Sequence, residues 1–147
     1  MSKRLDMIQL SVVTNIAAFD SLKPAWLALQ EACLGTSIFL GWDWQRLWWK
    51  YYGHSRDLRI LTARQDGNIV GILPLYLETY RKAGGLFAAR KLRQVGVGGD
   101  TAPDDLGALF APGYENETST AMAEHLSKVL TDWDILDWTD LPPQSPL

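Results

Sequence analysis

The chain has little cysteine and little histidine, the two residue types that would reveal a chemistry most directly. Its 147 residues include one cysteine, Cys33, and two histidines, His54 and His125. A single cysteine excludes an internal disulfide, and its apolar helical surroundings favour a reduced thiol in the core. Neither histidine is placed by the sequence to activate that thiol. We therefore expect neither a cysteine nucleophile nor a metal site.

Long apolar runs and excess positive charge are also missing. No apolar run reaches the ~20 residues that a membrane-spanning helix needs, and no charged segment leads into an apolar one at the start. The formal charge of -3 and isoelectric point near 5.3 give no general field for nucleic acid. The densest basic group is interpreted as a solvated rim and comprises Lys82, Arg90, Lys91 and Arg93. We expect a cytoplasmic protein with no membrane span and no nucleic-acid partner.

What is present indicates one globular domain, since 47% of the residues are hydrophobic and 21% are charged. Helical periodicity predicts one helix that starts at Lys23 and Pro24, and a second in GWDWQRLWWKYYG, residues 41–53. The buried face predicted for this second helix consists of Trp44, Leu47, Trp48 and Tyr51.

A β-hairpin is the clearest local prediction. The runs LRILTARQ and NIVGILPLYLE flank Asp66 and Gly67, a pair that favours a two-residue type I′ turn because both positions need positive φ. Pro74 lies inside the second run and cannot donate to a ladder, so a bulge or an unpaired edge is expected there.

The remaining segments complete the predicted order β-α-α-β-β-β-α-β. MIQLSVV is a first strand, KLRQVGV and DLGALF are later extended pieces, residues 117–130 are helical with Asn116 or Thr118 as cap, and WDILDW is a last strand. LPPQSPL has three prolines in seven residues, which continue neither regular element. We expect a domain over residues 1–140 and the start of a linker at 141–147.

Two Gly-containing loops are candidate cofactor sites. LRQVGVGGD has the Arg93-x-x-Gly96-x-Gly98 spacing of the pyrophosphate loop of acetyl-coenzyme A-dependent N-acyltransferases, but no helix follows it. The junction APGYEN leads from a strand into a helix, yet it contains only Gly113, and acidic residues follow it. We interpret this junction as a degenerate counterpart of such a loop.

The pattern as a whole resembles one branch of the GNAT acyltransferase superfamily, the cellulose-biosynthesis-protein-D-like group related to Fem-type aminoacyltransferases. The resemblance rests on IFLGWDWQRLWWKYYG, LRILTARQDGNIVGILPLYLE, KLRQVGVGGDTAPDDLGALFAPG and WDILDWTDLPPQSPL. It implies an α/β (α+β) fold with a mixed, mainly antiparallel central sheet flanked by helices, splayed between its fourth and fifth strands. It also implies that this chain is an N-terminal half, lacking the last part of a complete unit.

The resemblance further implies transfer of an acetyl or other acyl group from acyl-coenzyme A to an amine acceptor, which is an unknown small molecule, saccharide or peptide. The absent C-terminal half would hold the acyl-coenzyme A, so weak or absent binding and no activity are expected for this chain alone. Asp104 and Asp105 are candidate proton acceptors, although turn formation beside Pro103 is the alternative. Tyr114 is a candidate acid, and Gly113 a candidate cofactor contact.

A function of a different class also fits the sequence. Seven tryptophans in a chain of this size suggest a non-catalytic module that stacks aromatic rings on a carbohydrate or contacts a partner. The resemblance to a GNAT unit that lacks its later strands implies that the last strand is an uncovered edge containing Ile135, Leu136 and Trp138. We expect the isolated chain to form a two-fold homodimer through that edge or through the aromatic surface.

Overall fold

The computed structural model describes residues 7–33 and 35–147. The first six residues of the predicted domain, and Leu34, lie outside this description. The described residues contain four α-helices: α1 (Ile16–Ser21), α2 (Lys23–Ala32), α3 (Trp42–Tyr52) and α4 (Glu115–Lys128). The strands are β1 (Gln9–Val13), β2 (Asp57–Leu58), β3 (Ile60–Gln65), β4 (Asn68–Leu73), β5 (Leu75–Lys82), β6 (Phe87–Gln94), β7 (Leu109–Phe110) and β8 (Ile135–Asp137).

The predicted mixed α+β class is confirmed, with two mainly antiparallel four-stranded sheets. The first sheet has the order β1-β3-β4-β7, and the second has the order β2-β5-β6-β8. Only β6 and β8 are parallel neighbours among the described strands. The sheets are joined because β2 runs on into β3 and β4 runs on into β5, with Arg59 N donating to Leu75 O at 2.8 Å between them.

The predicted hairpin turn is confirmed at Asp66 and Gly67, whose φ angles are 51° and 79°. A bulge lies at Val70, where the register shifts between the pairs that Ala63 and Arg64 make with β4. Pro74 instead interrupts the strand, and its carbonyl accepts from Val95 N at 3.0 Å. The missing donor of proline therefore falls where the chain passes from one sheet to the other.

Strands β6 and β7 lie along one line, called here the β6–β7 line, with β6 beside β5 in the second sheet and β7 beside β4 in the first. A long excursion of the chain separates them. β6 pairs with β5 as far as Gln94 and then leaves the sheet. The chain returns as β7, which takes the corresponding place beside β4 by pairing Leu109 with Ile72 and Phe110 with Gly71. Of the predicted strand at residues 105–110, only this two-residue piece is regular. Residues 95–108 thus form an insertion that projects from the sheet.

Two hydrophobic clusters form the core, one on each side of the sheets. The first contains an aromatic group of Phe19, Trp26 and Trp42, with ring centroids 5.1–5.7 Å apart. Edge-to-face pairs of this kind add about 1 kcal/mol each beyond burial. Met122 and Leu126 of α4 belong to the second cluster. The helices therefore divide, with α1 to α3 contributing to one cluster and α4 to the other.

Three helix predictions need correction. The short helix α1 was missed; Asn15 caps it by accepting from Ala18 N at 2.8 Å. Helix α4 begins at Glu115, and its N-cap is Tyr114 rather than Asn116 or Thr118. On α3, Leu47 and Tyr51 are 53% and 60% exposed. The buried residues of α3 are Trp42, Gln45, Trp48 and Trp49.

The difference between the predicted and the observed buried face of α3 has a tertiary cause. Trp44 and Tyr52 lie beneath the insertion, within 3.0 Å of where side chains on Gly96 and Gly99 would begin. The buried face itself is selected by the first core cluster, where Trp42 lies against Phe19 and Trp26. Trp48 and Trp49 lie against Tyr76 in the same cluster, whereas the sequence offered aromatic residues on several faces. Among the described residues, no helix is long and apolar enough to cross a membrane.

Candidate functional site

The Gly-rich loop, defined here as residues 95–101, folds back over α3 instead of entering a helix. Regular helix resumes only at Glu115. Trp48 Nε1 donates to Thr101 Oγ1 at 3.1 Å, and Thr101 Oγ1 in turn donates to Gly96 O at 3.1 Å. The loop therefore lacks the helix N-terminus that a pyrophosphate loop uses, as expected from the sequence.

Arg56 fastens this loop to the body of the protein. Its guanidinium donates to Gly98 O at 2.9 Å and to Tyr52 O. The same group lies over the rings of Trp48 and Tyr76, at 5.7 and 5.3 Å from their centroids. One planar cation thus joins the end of α3, the sheet and the loop, a geometry that suits arginine better than lysine.

The charged side chains around Arg56 form a chain in which positive and negative groups alternate. Glu78 Oε1 lies 3.1 Å from Arg56 Nη2, and Glu78 Oε2 accepts from Arg93 Nη1 at 3.1 Å. Arg93 Nε lies 3.3 Å from Asp137 Oδ2. Burial raises the pKa of Tyr76, whose protonated hydroxyl donates to Val97 O. This network joins β5, β6 and β8. Both of its carboxylates, Glu78 and Asp137, are paired with arginine, so neither is free to act as an acid or a base.

Gly98 shows why the loop holds no phosphate cradle. Its φ is 93°, and a Cβ there would lie 2.7 Å from both Arg93 Nη1 and Tyr76 OH. Side chains of the protein itself therefore fill the inner side of the loop. The glycine serves close packing of the chain, not close approach of a ligand.

The second junction has the predicted topology. β7 leads through residues 111–114 into α4, with Tyr114 N donating to Ala111 O at 3.0 Å. Gly113 is exposed with a φ of 86°. Tyr114 packs half-buried against the second core cluster. Glu115 and Glu117 lie in the first turn of α4, where they suit the helix dipole but would repel a diphosphate.

A cleft of about 280 Å³, called here the C-terminal cleft, contains one of the predicted residues. Asp105 lines it, facing the end of α2 with Cys33 and Thr36. The Asp104 side chain lies outside, and its backbone carbonyl accepts from Ser37 Oγ at 3.0 Å. Neither Gly113 nor Tyr114 lines this cleft. Of the four predicted site residues, Asp105 alone therefore lines the C-terminal cleft.

Cys33 contributes a neutral thiol to the C-terminal cleft. Its Sγ donates to Phe110 O at 2.9 Å. Burial raises the pKa of the thiol, and the charge of Glu115 adds to that shift. The raised pKa disfavours the thiolate, and the neutral thiol serves as a hydrogen-bond donor to β7.

Sequence reasoning missed the far wall of the cleft. Residues of the segment predicted as a linker form it, namely Pro142, Gln144, Ser145 and Pro146. Leu106 N donates to Asp140 O at 2.8 Å, and Gln94 Nε2 donates to Thr139 O at 2.8 Å. These bonds close the gap between the β6–β7 line and the chain that follows β8. Proline content indicated irregular backbone there but carried no information about packing.

The tryptophans offer no exposed stacking platform. All seven lie in the described part of the chain; Trp26, Trp42, Trp48 and Trp49 are buried, and Trp44, Trp133 and Trp138 are half-buried. Their main role is core packing. The carbohydrate-binding alternative therefore lacks the exposed indoles on which it depended.

No family model matches the chain, and the search of curated proteins gave no match. The search of solved structures gave matches of low sequence identity. One is a ribosomal-protein-alanine N-acetyltransferase from Brucella melitensis biovar Abortus 2308, with 12% identity, a TM-score of 0.46 and coverage of 94% of this chain and 82% of that one. Another is an integron cassette protein from the mobile metagenome of V. cholerae, with 14% identity, a TM-score of 0.41 and coverage of 90% and 74%.

Proposed function

We propose that this chain is the acceptor-side half of a GNAT-type N-acyltransferase whose other half binds acyl-coenzyme A. The observation that carries the proposal is the connection from the β6–β7 line through α4 to β8. This crossover places β8 parallel to β6, with Lys91 opposite Ile135 and Arg93 opposite Asp137. A strand, a Gly113 turn and a helix follow one another in the order that an acyl-donor site of this superfamily requires.

The same region supports the assignment of acyl-coenzyme A binding to the other half and of the acceptor side to this one. A diphosphate at the start of α4 would meet the carboxylates of Glu115 and Glu117. The gap between the β6–β7 line and the chain that follows β8 is closed by Gln94 and by residues 139–146. The Gly-rich loop is filled by Arg93 and Tyr76. Each of these three places is thus filled by the chain's own residues or carries the wrong charge for the donor.

Asp105 is the residue of this half best placed for chemistry. Asp105 lines the C-terminal cleft, and a carboxylate at such a place can accept a proton from an acceptor amine directly or through water. Tyr114 as acid and Gly113 as cofactor contact stay predictions. The acceptor is an amine small enough to reach a cleft of about 280 Å³ with at least its reactive end.

Calorimetry with acetyl-coenzyme A tests the division of labour. The isolated chain is expected to show no micromolar binding. Replacing Glu115 and Glu117 by Gln should strengthen whatever weak binding remains, because the charge repulsion is removed. Glu124→Gln, on a later turn of the same helix, is the matched control and should change nothing. Micromolar binding by the unmodified chain would contradict the proposal.

An activity assay tests the acyl-transfer reaction itself. In a longer protein that contains this chain, Asp105→Asn should lower kcat by about 10²-fold with the KM for acetyl-coenzyme A unchanged. Asp104→Asn is the control, since its side chain lies outside the cleft. Equal losses in both variants, or in neither, would remove Asp105 from the mechanism.

A further inference from the structure

The hairpin of β5 and β6 extends beyond the rest of the sheet as a two-stranded arm, residues 79–91. Its neighbours end early, since β2 pairs only with Tyr76 and Leu77 and β8 pairs only with residues 91–93. Every residue of the arm is exposed except Ala89 and Lys91, which are half-buried. An isolated two-stranded ribbon is marginally stable in water, so the arm depends on its continuation into the second sheet for its stability.

The tip of the arm is apolar. Leu86 is 83% exposed and Phe87 is 71% exposed, and both follow the turn formed by Ala83–Gly85. Tyr80 is also exposed, on the strand opposite. Large side chains this exposed, grouped at the end of a projecting element, are not explained by the packing of this domain.

The arm also carries a band of positive charge, which begins level with Phe87 and extends back along both strands; it is formed by Arg81, Lys82, Arg90 and Lys91. The arm carries four of the chain's 14 basic side chains and none of its 17 acidic ones. Only Arg90 forms an ion pair with a described carboxylate, Asp134, at 3.4 Å. The band is therefore a local positive patch on a protein whose net charge is negative.

The spacing of tip and band fits an anionic bilayer surface. Lys82 lies directly opposite Phe87, and Arg90 lies three residues back along β6, roughly 10 Å at strand spacing. Apolar groups of interfacial proteins enter about 5–10 Å below the headgroups, which would leave Arg90 and Lys91 at headgroup level. The Lys82 ammonium lies over the Tyr80 ring and is therefore directed back along the arm toward the same level. Basic side chains at that level are attracted by anionic lipids.

Single-stranded nucleic acid fits less well. The ammonium groups of Lys82 and Lys91 lie over the Tyr80 ring, at 5.5 and 4.8 Å from its centroid, so bases would compete with them for stacking. The most exposed tip residue, Leu86, is aliphatic and has no ring to stack on a base. We propose that this arm binds the surface of membranes that contain anionic phospholipid. The proposal is independent of the acyl-transfer function.

Vesicle flotation of the whole chain tests the proposal. The protein should bind phosphatidylcholine vesicles that contain phosphatidylglycerol, should bind less as salt rises, and should leave pure phosphatidylcholine vesicles unbound. The double variant Leu86→Ser with Phe87→Ser removes the apolar tip, and Arg81→Gln with Lys82→Gln removes half of the band. Each should weaken partitioning by about tenfold or more.

Matched controls remove the same chemistry elsewhere on the surface. Ile38→Ser with Val129→Ser deletes two other exposed apolar side chains, and Lys23→Gln with Lys50→Gln deletes two other charges. Both controls should bind vesicles within about twofold of the unmodified chain. Circular dichroism and thermal midpoints check that every variant is folded.

Three results would overturn the proposal. In the first, the unmodified chain ignores anionic vesicles; in the second, the control variants lose as much binding as the arm variants. In the third, vesicle binding is absent, and the arm variants instead abolish one of two other activities of the unmodified chain. These are binding of a single-stranded oligonucleotide and self-association seen by light scattering. That last result would assign the arm to nucleic acid or to a second copy of the chain.

Discussion

Gly67 is a single residue whose backbone angle fixes how β3 and β4 face one another. Its φ of 79° belongs to the left-handed region, and no atom lies within 4 Å of where a Cβ would stand. A substitution there is therefore strained by backbone conformation alone, without steric conflict. Gln65 pairs with Asn68 across the turn, so the strain falls directly on the hairpin.

We predict that Gly67→Val lowers the free energy of unfolding by more than ~1 kcal/mol. Thermal and urea denaturation measure it. Asn68→Val is the control, because position 68 is exposed and extended, and its effect should stay within about 0.5 kcal/mol. An unchanged melting temperature in Gly67→Val would show that the turn relaxes to another type.

At the scale of elements, the Arg56 contacts hold α3, β5 and the Gly-rich loop in one arrangement. The Arg56 guanidinium donates hydrogen bonds to Tyr52 O at the end of α3, to Glu78 Oε1 on β5 and to Gly98 O in the loop. Only 16% of the Arg56 side chain is exposed, so water screens these interactions weakly.

Arg56→Lys is predicted to lower stability by about 1–3 kcal/mol, because an ammonium group cannot stack on two rings and reach three acceptors together. Hydrogen exchange of residues 95–101 should accelerate more than exchange in β3. Arg81→Lys, a change on the exposed arm, is the control and should be neutral. Equal exchange in both variants would mean that the loop is held mainly by Trp48 and Thr101.

At the scale of the whole molecule, β8 leaves one edge of the second sheet open. Ile135 and Leu136 on this edge are 43% and 42% exposed. Such an edge pairs readily with another strand, and a two-fold arrangement satisfies both copies at once. The aromatic surface contributes less than the sequence suggests, because only Tyr51 among the aromatic residues of α3 is exposed.

We therefore predict that the isolated chain is a homodimer paired through β8. Light scattering during size exclusion at high micromolar concentration measures the mass. Ile135→Lys should convert the dimer to monomer, whereas Ile38→Lys, which alters another exposed isoleucine, should leave it dimeric. A monomeric unmodified chain would contradict the prediction and would indicate that the short β8 edge is too small to support pairing.

The sequence by itself determined the features that depend on neighbouring residues. The positive φ angles of Asp66 and Gly67, the helix start at Pro24 and the acidic first turn of α4 all follow from local backbone preference and side-chain spacing. It also determined that no helix follows the Gly-rich loop, because residues 99–105 contain no helical pattern. Such preferences act within a few residues, so they can be predicted before the fold is known.

Only the tertiary structure decided what those elements touch. The buried face of α3, the break between sheets at Pro74 and the closure of the C-terminal cleft by Gln94 and residues 139–146 depend on contacts between distant parts of the chain. The same holds for Asp105, which lines a cleft while the adjacent Asp104 does not. Composition and spacing leave such choices open, because long-range packing selects one face or one partner among several that are locally equivalent.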